Sequence, residues 1–334
     1  MRAGAKFLTA HFAAFAAIFA IMIALAGATK PAAAAGYPDH PVKIVAPFAA
    51  GGPSDTIARI VAQKLSDALK QQFYVEDHAG AGGNIGMSFV ARSAPDGYTI
   101  LVGSSSFVVN PSLYATPPYD PYKDFIPITE AAASPNIVAV HSSFPAKSMK
   151  ELIALIKANP GKYSIANSGI GTTPTLALEL FKLTYKLDAA SVPYNGGEPA
   201  VQSVVGNHTP IGFFTVPPAA PQIAAGNIRG LAVTSAKRSG ALPDVPTMAE
   251  AGVPDQESET MQGIFVPAGT PKDVVDLLHN EIVKAMQSPD VKEKCAAIGF
   301  EVVANSQADF AAYIKKEVDK WHRVIVDAKI PQVK

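Results

Sequence analysis

The sequence predicts an α/β protein in which mostly parallel sheets are flanked by helices. Three observations carry that prediction. Short apolar runs of strand length alternate with segments of helical spacing from Pro41 onward. Clusters of Gly, Pro, Ser and Asn punctuate them. The roughly 300 residues beyond position 35 are enough for two domains with sizeable cores.

The elements follow in order. Val42–Ala46 reads as a strand between Pro41 and Pro47, and a helix runs from Ser54 or Asp55, either a natural N-cap, to about Gln71. Its apolar positions Ile57, Ile60, Val61 and Leu65 recur at helical spacing. Phe73–Glu76 is a second strand. The glycine loop 79–86 leads into a helix ending near Arg92, and Tyr98–Val102 is a third strand. The stretch 111–127 is rich in proline and tyrosine with little periodicity. Strands resume at Ile137–Val140, Tyr163–Ala166, Ala190–Val192, Ile211–Phe214 and Gly230–Val233. Helices are predicted at Met149–Asn159, Thr175–Lys186 and Gly196–Val205 between them. The C-terminal third reads as amphipathic helices over 271–287, 289–298 and 306–328. In the last, Phe310, Ile314, Val318, Trp321 and Ile325 form one stripe, which predicts core packing.

The N-terminus has the order of a secretory signal. Arg2 and Lys6 precede a nearly unbroken apolar stretch from Phe7 to Ala28, closed by the small-residue tract ending at Ala35. Cleavage after Ala35 is expected, which places the mature protein in the periplasm. An uncleaved anchor is the alternative, since the stretch approaches the ~20 residues a membrane helix needs.

The formal net charge is zero, but residues 1–35 hold three cations and no acids. The remainder therefore has 25 basic against 28 acidic side chains, about −3. That balance gives no basic face for nucleic acid. Cys295 is the only cysteine, so an intrachain disulfide and a cysteine metal cluster are both excluded. The histidines after the signal lie singly, so no metal and no cofactor are predicted.

In open α/β sheets, ligands bind beyond the carboxyl ends of the strands. The loops there are 47–56, 79–86, 103–110, 167–175 and 194–198. All are dense in Gly, Ser, Thr or Asn, and none contains Lys or Arg. A ligand in them meets backbone N–H groups, hydroxyls and helix N-termini, a set that suits a small carboxylate. One such loop alone implies only a turn; five at successive strand ends imply a site. Enzyme motifs are missing: the third glycine of a dinucleotide fingerprint falls at Ile85, and there is no P-loop or nucleophile elbow. No catalytic residue is assigned. A periplasmic enzyme with dispersed groups, or a ligand-binding input to a signalling sensor, are the competing readings.

The chain resembles the Bug-type, TctC-like solute receptors of tripartite tricarboxylate transporters. The matching segments include Tyr37 to Phe48, Gly51 to Asp55, Gly80 to Gly86, Pro95 to Tyr98, Asn110 to Tyr114, Tyr119 to Phe125, Val192 to Tyr194, Leu231 to Ser235, Leu242 to Thr247 and Pro267 to Pro271. The resemblance implies a two-lobed periplasmic-binding-protein fold, type II-like, with residues 37–136 plus 253–334 as lobe 1 and 137–252 as lobe 2. It implies a monomer that captures a small carboxylate between the lobes and delivers it to the membrane components of such a transporter. It further implies that lobe 1 holds one carboxylate through Phe48, Ala49, Gly51, Gly82, Asn84, Ser104 and Ser105, partly by bridging waters. Lobe 2 would present Ser168, Gly169, Thr172, Thr173 and Tyr194 to the other end.

The sequence departs from the family pattern where selectivity is decided. Thr215 replaces an acid able to pair with an amino group, Asn195 stands where Lys is frequent, and Thr175 where His is frequent. Without that acid an ammonium would be desolvated uncompensated. With Phe213, Phe214, Val216 and Pro217 expected to make this wall apolar, the expected ligand is a dicarboxylate or an aromatic carboxylate.

Overall fold

The computed structural model describes residues 36–334; the expected export signal at 1–35 lies outside the described residues. Strands β1 (Val42–Ala46), β2 (Phe73–Asp77) and β3 (Thr99–Ser104) are parallel with β1 between its two partners. Helices α1 (Pro53–Leu69) and α2 (Asn84–Ala91) connect them. The start of α1 differs from expectation. Gly52 is its N-cap and Pro53 takes the first helical position, where a missing N–H costs nothing. Ser54 instead donates to Gln262 Oε1 (2.7 Å), and Asp55 accepts the Gly51 N–H (2.8 Å).

After β3 come α3 (Ser106–Leu113) and the 17-residue strand β4 (Phe125–His141). The chain continues through α4 (Met149–Ala158), β5 (Ser164–Asn167), α5 (Thr173–Tyr185), β6 (Ala190–Pro193), α6 (Gly197–Val205), β7 (Ile211–Thr215), α7 (Val216–Ala224) and β8 (Ile228–Val233). It ends with β9 (Glu259–Pro267), α8 (Lys272–Met286), α9 (Pro289–Ala297), β10 (Glu301–Val302) and α10 (Gln307–Asp327).

Among the described residues the sheet runs β2-β1-β3-β9-β4-β7-β5-β6, with β8 and β10 also on β4. β4 is its axis. From Phe125 to Pro135 it pairs antiparallel with β9; from Asn136 onward it pairs with β7, and from Ile137 with β8. Contact density keeps Pro38–Lys334 as one unit, since both parts of the sheet share this strand.

The α/β class is as expected, but each part of the sheet is mixed. Its parallel trio (β2-β1-β3 or β6-β5-β7) is continued by antiparallel neighbours. The sequence reading passed over β9 and most of β4 for a physical reason. β4 contains Pro127 and Pro135 and is buried almost throughout, so it lacks an alternating pattern. Helices α3 and α7 were hidden by internal prolines, Pro111 and Pro221.

One core gathers Phe107, Phe125, Phe265 and Phe310, with the Phe107 and Phe265 rings stacked at 4.0 Å. Gly263, opposite Gly103 across the β3/β9 pair, makes room for Phe310, whose ring a Cβ there would overlap. The α10 stripe packs as expected: Phe310, Ile314, Trp321 and Ile325 are buried and Val318 partly so. The second part of the sheet has cores on both faces, one around Phe181 and Phe213, the other around Phe214 and Val216.

Candidate functional site

Parallel strands that share a direction bring their carboxyl ends to one edge. At the ends of β1, β2 and β3 lies the first loop group. Residues 80–83 form a left-handed turn, with φ of 132° at Gly80, 49° at Ala81, 64° at Gly82 and 92° at Gly83. Glycine takes up three of these four positions without Cβ strain, and Ala81 adopts the left-handed region as a non-glycine residue. A Cβ at Gly83 would lie 3.1 Å from the Phe48 ring and 3.3 Å from Ser106 Oγ, so these three converge. Ser104 Oγ is 3.1 Å from Ser106 Oγ. Asn110, which the sequence reading did not assign, organises the group. Its amide donates to the Gly82 carbonyl (3.0 Å) and to Asn84 Oδ1 (2.8 Å), leaving the Asn84 amide nitrogen without that neighbour as acceptor. The only signal for it was its place in the Asn110 to Tyr114 motif.

Two expected donors of this group are already engaged. The Gly51 N–H is held by Asp55, which also meets Arg59 Nε at 2.7 Å. Burial pulls the Asp55 carboxyl upward, but the Arg59 hydrogen bond, the Gly51 N–H and the Arg59 charge together hold it below the ordinary range. Asp77 moves the other way, raised by burial and then by the Asp55 charge. The Ser105 hydroxyl is buried against β9, donating to the Glu259 carbonyl (3.2 Å) and accepting the Met261 N–H (2.9 Å). Ala49 is exposed and its carbonyl accepts the Gly52 N–H at 3.2 Å.

The second group sits at the ends of β5, β6 and β7. Gly169 has φ 107°, and a Cβ there would lie 2.7 Å from the Tyr194 carbonyl oxygen. The 167–175 loop is tied internally: Asn167 Oδ1 accepts the Gly169 N–H (3.1 Å) and the Thr175 hydroxyl (2.6 Å), while the Gly169 carbonyl accepts the Thr172 hydroxyl (2.8 Å). Thr175 thus braces the loop from within. Ser168 Oγ is buried without a hydrogen-bond partner. A Cβ at Gly197 would lie 3.6 Å from that oxygen, 3.8 Å from Thr215 Oγ1 and 3.1 Å from Pro218 Cγ. Ser168, Gly197 and Thr215 therefore surround one small space. Tyr194 turns its hydroxyl inward to Ser203 (2.6 Å) and Thr209 (3.1 Å), and Thr173 Oγ1 lies 2.7 Å from Thr260 Oγ1. The groups approach each other at Gly171, where a Cβ would lie 2.7 Å from Leu113 Cδ2.

One expectation is corrected here. Phe213, Phe214 and Val216 are fully buried in the two cores, and Pro217 packs beside Gly299, where a Cβ would meet its Cγ at 2.9 Å. Alternation along β7 sends the two rings to opposite faces of the sheet. They do not make an apolar cleft wall.

The helix starts share one property. The N-caps of α1, α2, α3, α5, α6 and α7 (Gly52, Gly83, Ser105, Thr172, Gly196 and Thr215) make no side-chain capping bond. The first-turn N–H groups that these helices have, none being supplied by Pro53, Pro174, Pro199, Pro217 or Pro218, thus receive no bond from the cap side chain, and the helix dipole favours an anion there. No cluster of three or more His, Cys, Asp or Glu able to hold a metal occurs among the described residues.

The chain is similar to known proteins. Residues 57–330 match the model of the tripartite tricarboxylate transporter family receptor. Protein BugT of Bordetella pertussis is 35% identical over 311 residues, 92% of this chain and 95% of BugT. Among solved structures, R. palustris Rpa4515 with adipate is 34% identical, with a TM-score of 0.77 over 89% of this chain and 100% of that one. MatC from Rhodopseudomonas palustris, with bound malate, is 29% identical, with a TM-score of 0.73 over 86% of this chain and 100% of that one.

Proposed function

Because the chain belongs to the tripartite tricarboxylate transporter receptor family, we propose that it is a periplasmic receptor for a small dicarboxylate or aromatic carboxylate. It holds that ligand between two lobes, 37–136 plus 253–334 and 137–252, and hands it to the membrane components of such a transporter as a monomer. The change of β4 partner between Pro135 and Asn136 supports the boundary.

The observation that carries the reading is the pair of cation-free loop groups whose helix starts lack side-chain caps. A carboxylate is the ligand such donors suit, since several backbone N–H groups and hydroxyls can share its charge. Lobe 1 takes one carboxylate on the backbone of Phe48, Ala49 and Gly82, the amide of Asn84 and the hydroxyl of Ser104, with Gly51 and Ser105 shaping the loops. Lobe 2 takes the other end beside Ser168, Gly197 and Thr215, while Gly169, Thr172, Thr173 and Tyr194 hold that surface in place. Thr215 offers a neutral hydroxyl there, which disfavours an ammonium. The adipate and malate of the related structures are ligands of this class.

Isothermal calorimetry against mono-, di- and aromatic carboxylates, with aspartate and glutamate as controls, tests the proposal. Stoichiometric binding of a dicarboxylate or aromatic carboxylate, with a raised Tm and the ligand recovered unchanged, is expected. Tight binding of aspartate or glutamate alone would sink the ligand class, and turnover of the ligand would sink the receptor role.

A further inference from the structure

Where β4 leaves β9 for β7, three chain segments are knotted by buried side chains. The Asn136 N–H donates to Thr234 Oγ1 (2.9 Å), and its amide donates to Ser258 Oγ (2.9 Å). Thr234 returns its hydroxyl to the carbonyls of Asn136 and Ser258. Asn136, Thr234 and Ser258 are all buried.

Thr260 stands at the edge of this knot on β9. Its hydroxyl lies 2.7 Å from the Thr173 hydroxyl, with which it shares a hydrogen bond, and 3.4 Å from Asn136 Oδ1. Thr173 opens α5 in the second loop group. On the other side, Ser105 of the first group grips the residues flanking Thr260, through the Glu259 carbonyl and the Met261 N–H. Thr215, at the start of α7, pairs with Asn136 in the β4/β7 register. Both loop groups are therefore anchored within one residue of Thr260 or on its hydrogen-bond partner.

Resting on the two-lobe receptor reading, we propose that Thr260 is a positioning residue, tying the first turn of α5 to the strand crossing and fixing how the two loop groups present their donors to the ligand. The role runs through Thr173, the residue of α5 that its hydroxyl meets. Thr260→Val keeps the shape and removes the bond, whereas Thr260→Ser keeps the hydroxyl.

In Thr260→Val the ligand-free Tm is expected to stay within about 3 °C of the parent, while first-turn amides of α5 exchange faster with deuterium. With adipate as the probe, Kd rises roughly tenfold, mainly through koff, and Thr260→Ser restores it to within about twofold. Parent-like exchange and affinity in Thr260→Val would overturn the proposal. So would a loss in Thr260→Val that Thr260→Ser does not recover. If Thr260→Val does not fold, Thr260→Ala decides by the same two readouts. A parent chain that binds neither adipate nor malate counts against the carboxylate reading, and the ligand-free exchange experiment then decides the role of Thr260 separately.

Discussion

The helices that start at the cleft and two that start away from it use similar residues in opposite ways. Ser148 caps α4 by accepting the Glu151 N–H (3.2 Å), and Ser306 caps α10 by accepting the Asp309 N–H (3.1 Å). Thr172 and Thr215 occupy the same position at α5 and α7 without capping either helix. A side-chain cap is worth about 1 kcal/mol. Pro217 and Pro218 leave α7 no N–H for Thr215 to cap. At α5 Thr172 turns its hydroxyl to the Gly169 carbonyl, so that loop is held by internal bonds such as this one and Thr175 to Asn167.

The most damaging way to break this contrast is to unseat a cleft loop. Gly169→Ala puts a Cβ against the Tyr194 carbonyl at a φ of 107°. It should cost about 3 kcal/mol in urea denaturation, more than any exposed substitution.

The contrast extends to charge. The candidate-site loops lack cations and carry few acids, whereas β4, β9 and α10 bring the carboxylates Glu130, Glu259 and Glu317 close enough to repel one another. Burial pushes Glu130 up to about 8, with Glu259 and Glu317 adding repulsion. Burial pushes Glu259 up to about 7, with Glu301 and Glu317 adding to it. On α10, Lys320 pairs with Glu317 (2.6 Å), and burial lowers its pKa. A carboxyl raised in the folded state holds a proton that the unfolded chain has already released. Its stabilisation is present at and below the unfolded value near 4.5 and fades as pH rises to about 8. Tm should therefore fall by about 5 °C between pH 5.5 and 8.5, and Glu130→Gln should flatten that fall. An unchanged slope in Glu130→Gln would assign the pH dependence elsewhere.

A smaller effect compares the two kinds of helix start directly. Ser148→Ala should cost about 1 kcal/mol, while Thr215→Val should cost under ~0.5 kcal/mol in the ligand-free protein, both by urea denaturation. Equal losses would mean that Thr215 stabilises the fold by a contact other than capping, since Pro217 and Pro218 offer it no N–H. Smallest in stability is Ser168→Ala. Its oxygen is buried without a partner, so the change should leave Tm within about 1 °C. Affinity for a bound carboxylate should still drop about fivefold by calorimetry.

Much of the fold could be read from sequence wherever a segment packs on one face. The α10 stripe, the parallel strands and the cleft loops all follow from local periodicity and turn chemistry. The neutral hydroxyl at Thr215 was legible as well. The apolar wall expected beside it was not, because residue type does not say which side of a strand faces a core. Phe213 and Phe214 are consecutive on β7, so each was claimed by a different core.

The sequence by itself determined the α/β class, the positions of the anion-suited loops and their lack of cations, because these depend on residues close in the chain. Only the tertiary structure decided which donors remain free. Gly51 is taken by Asp55, Ser105 by β9 and Thr173 by Thr260, while Ser168 is left without a partner. Two of those bonds, the ones to β9, span between 87 and 156 residues. Hydrogen-bond partners that distant are set by the strand crossing at Asn136, which no local pattern encodes.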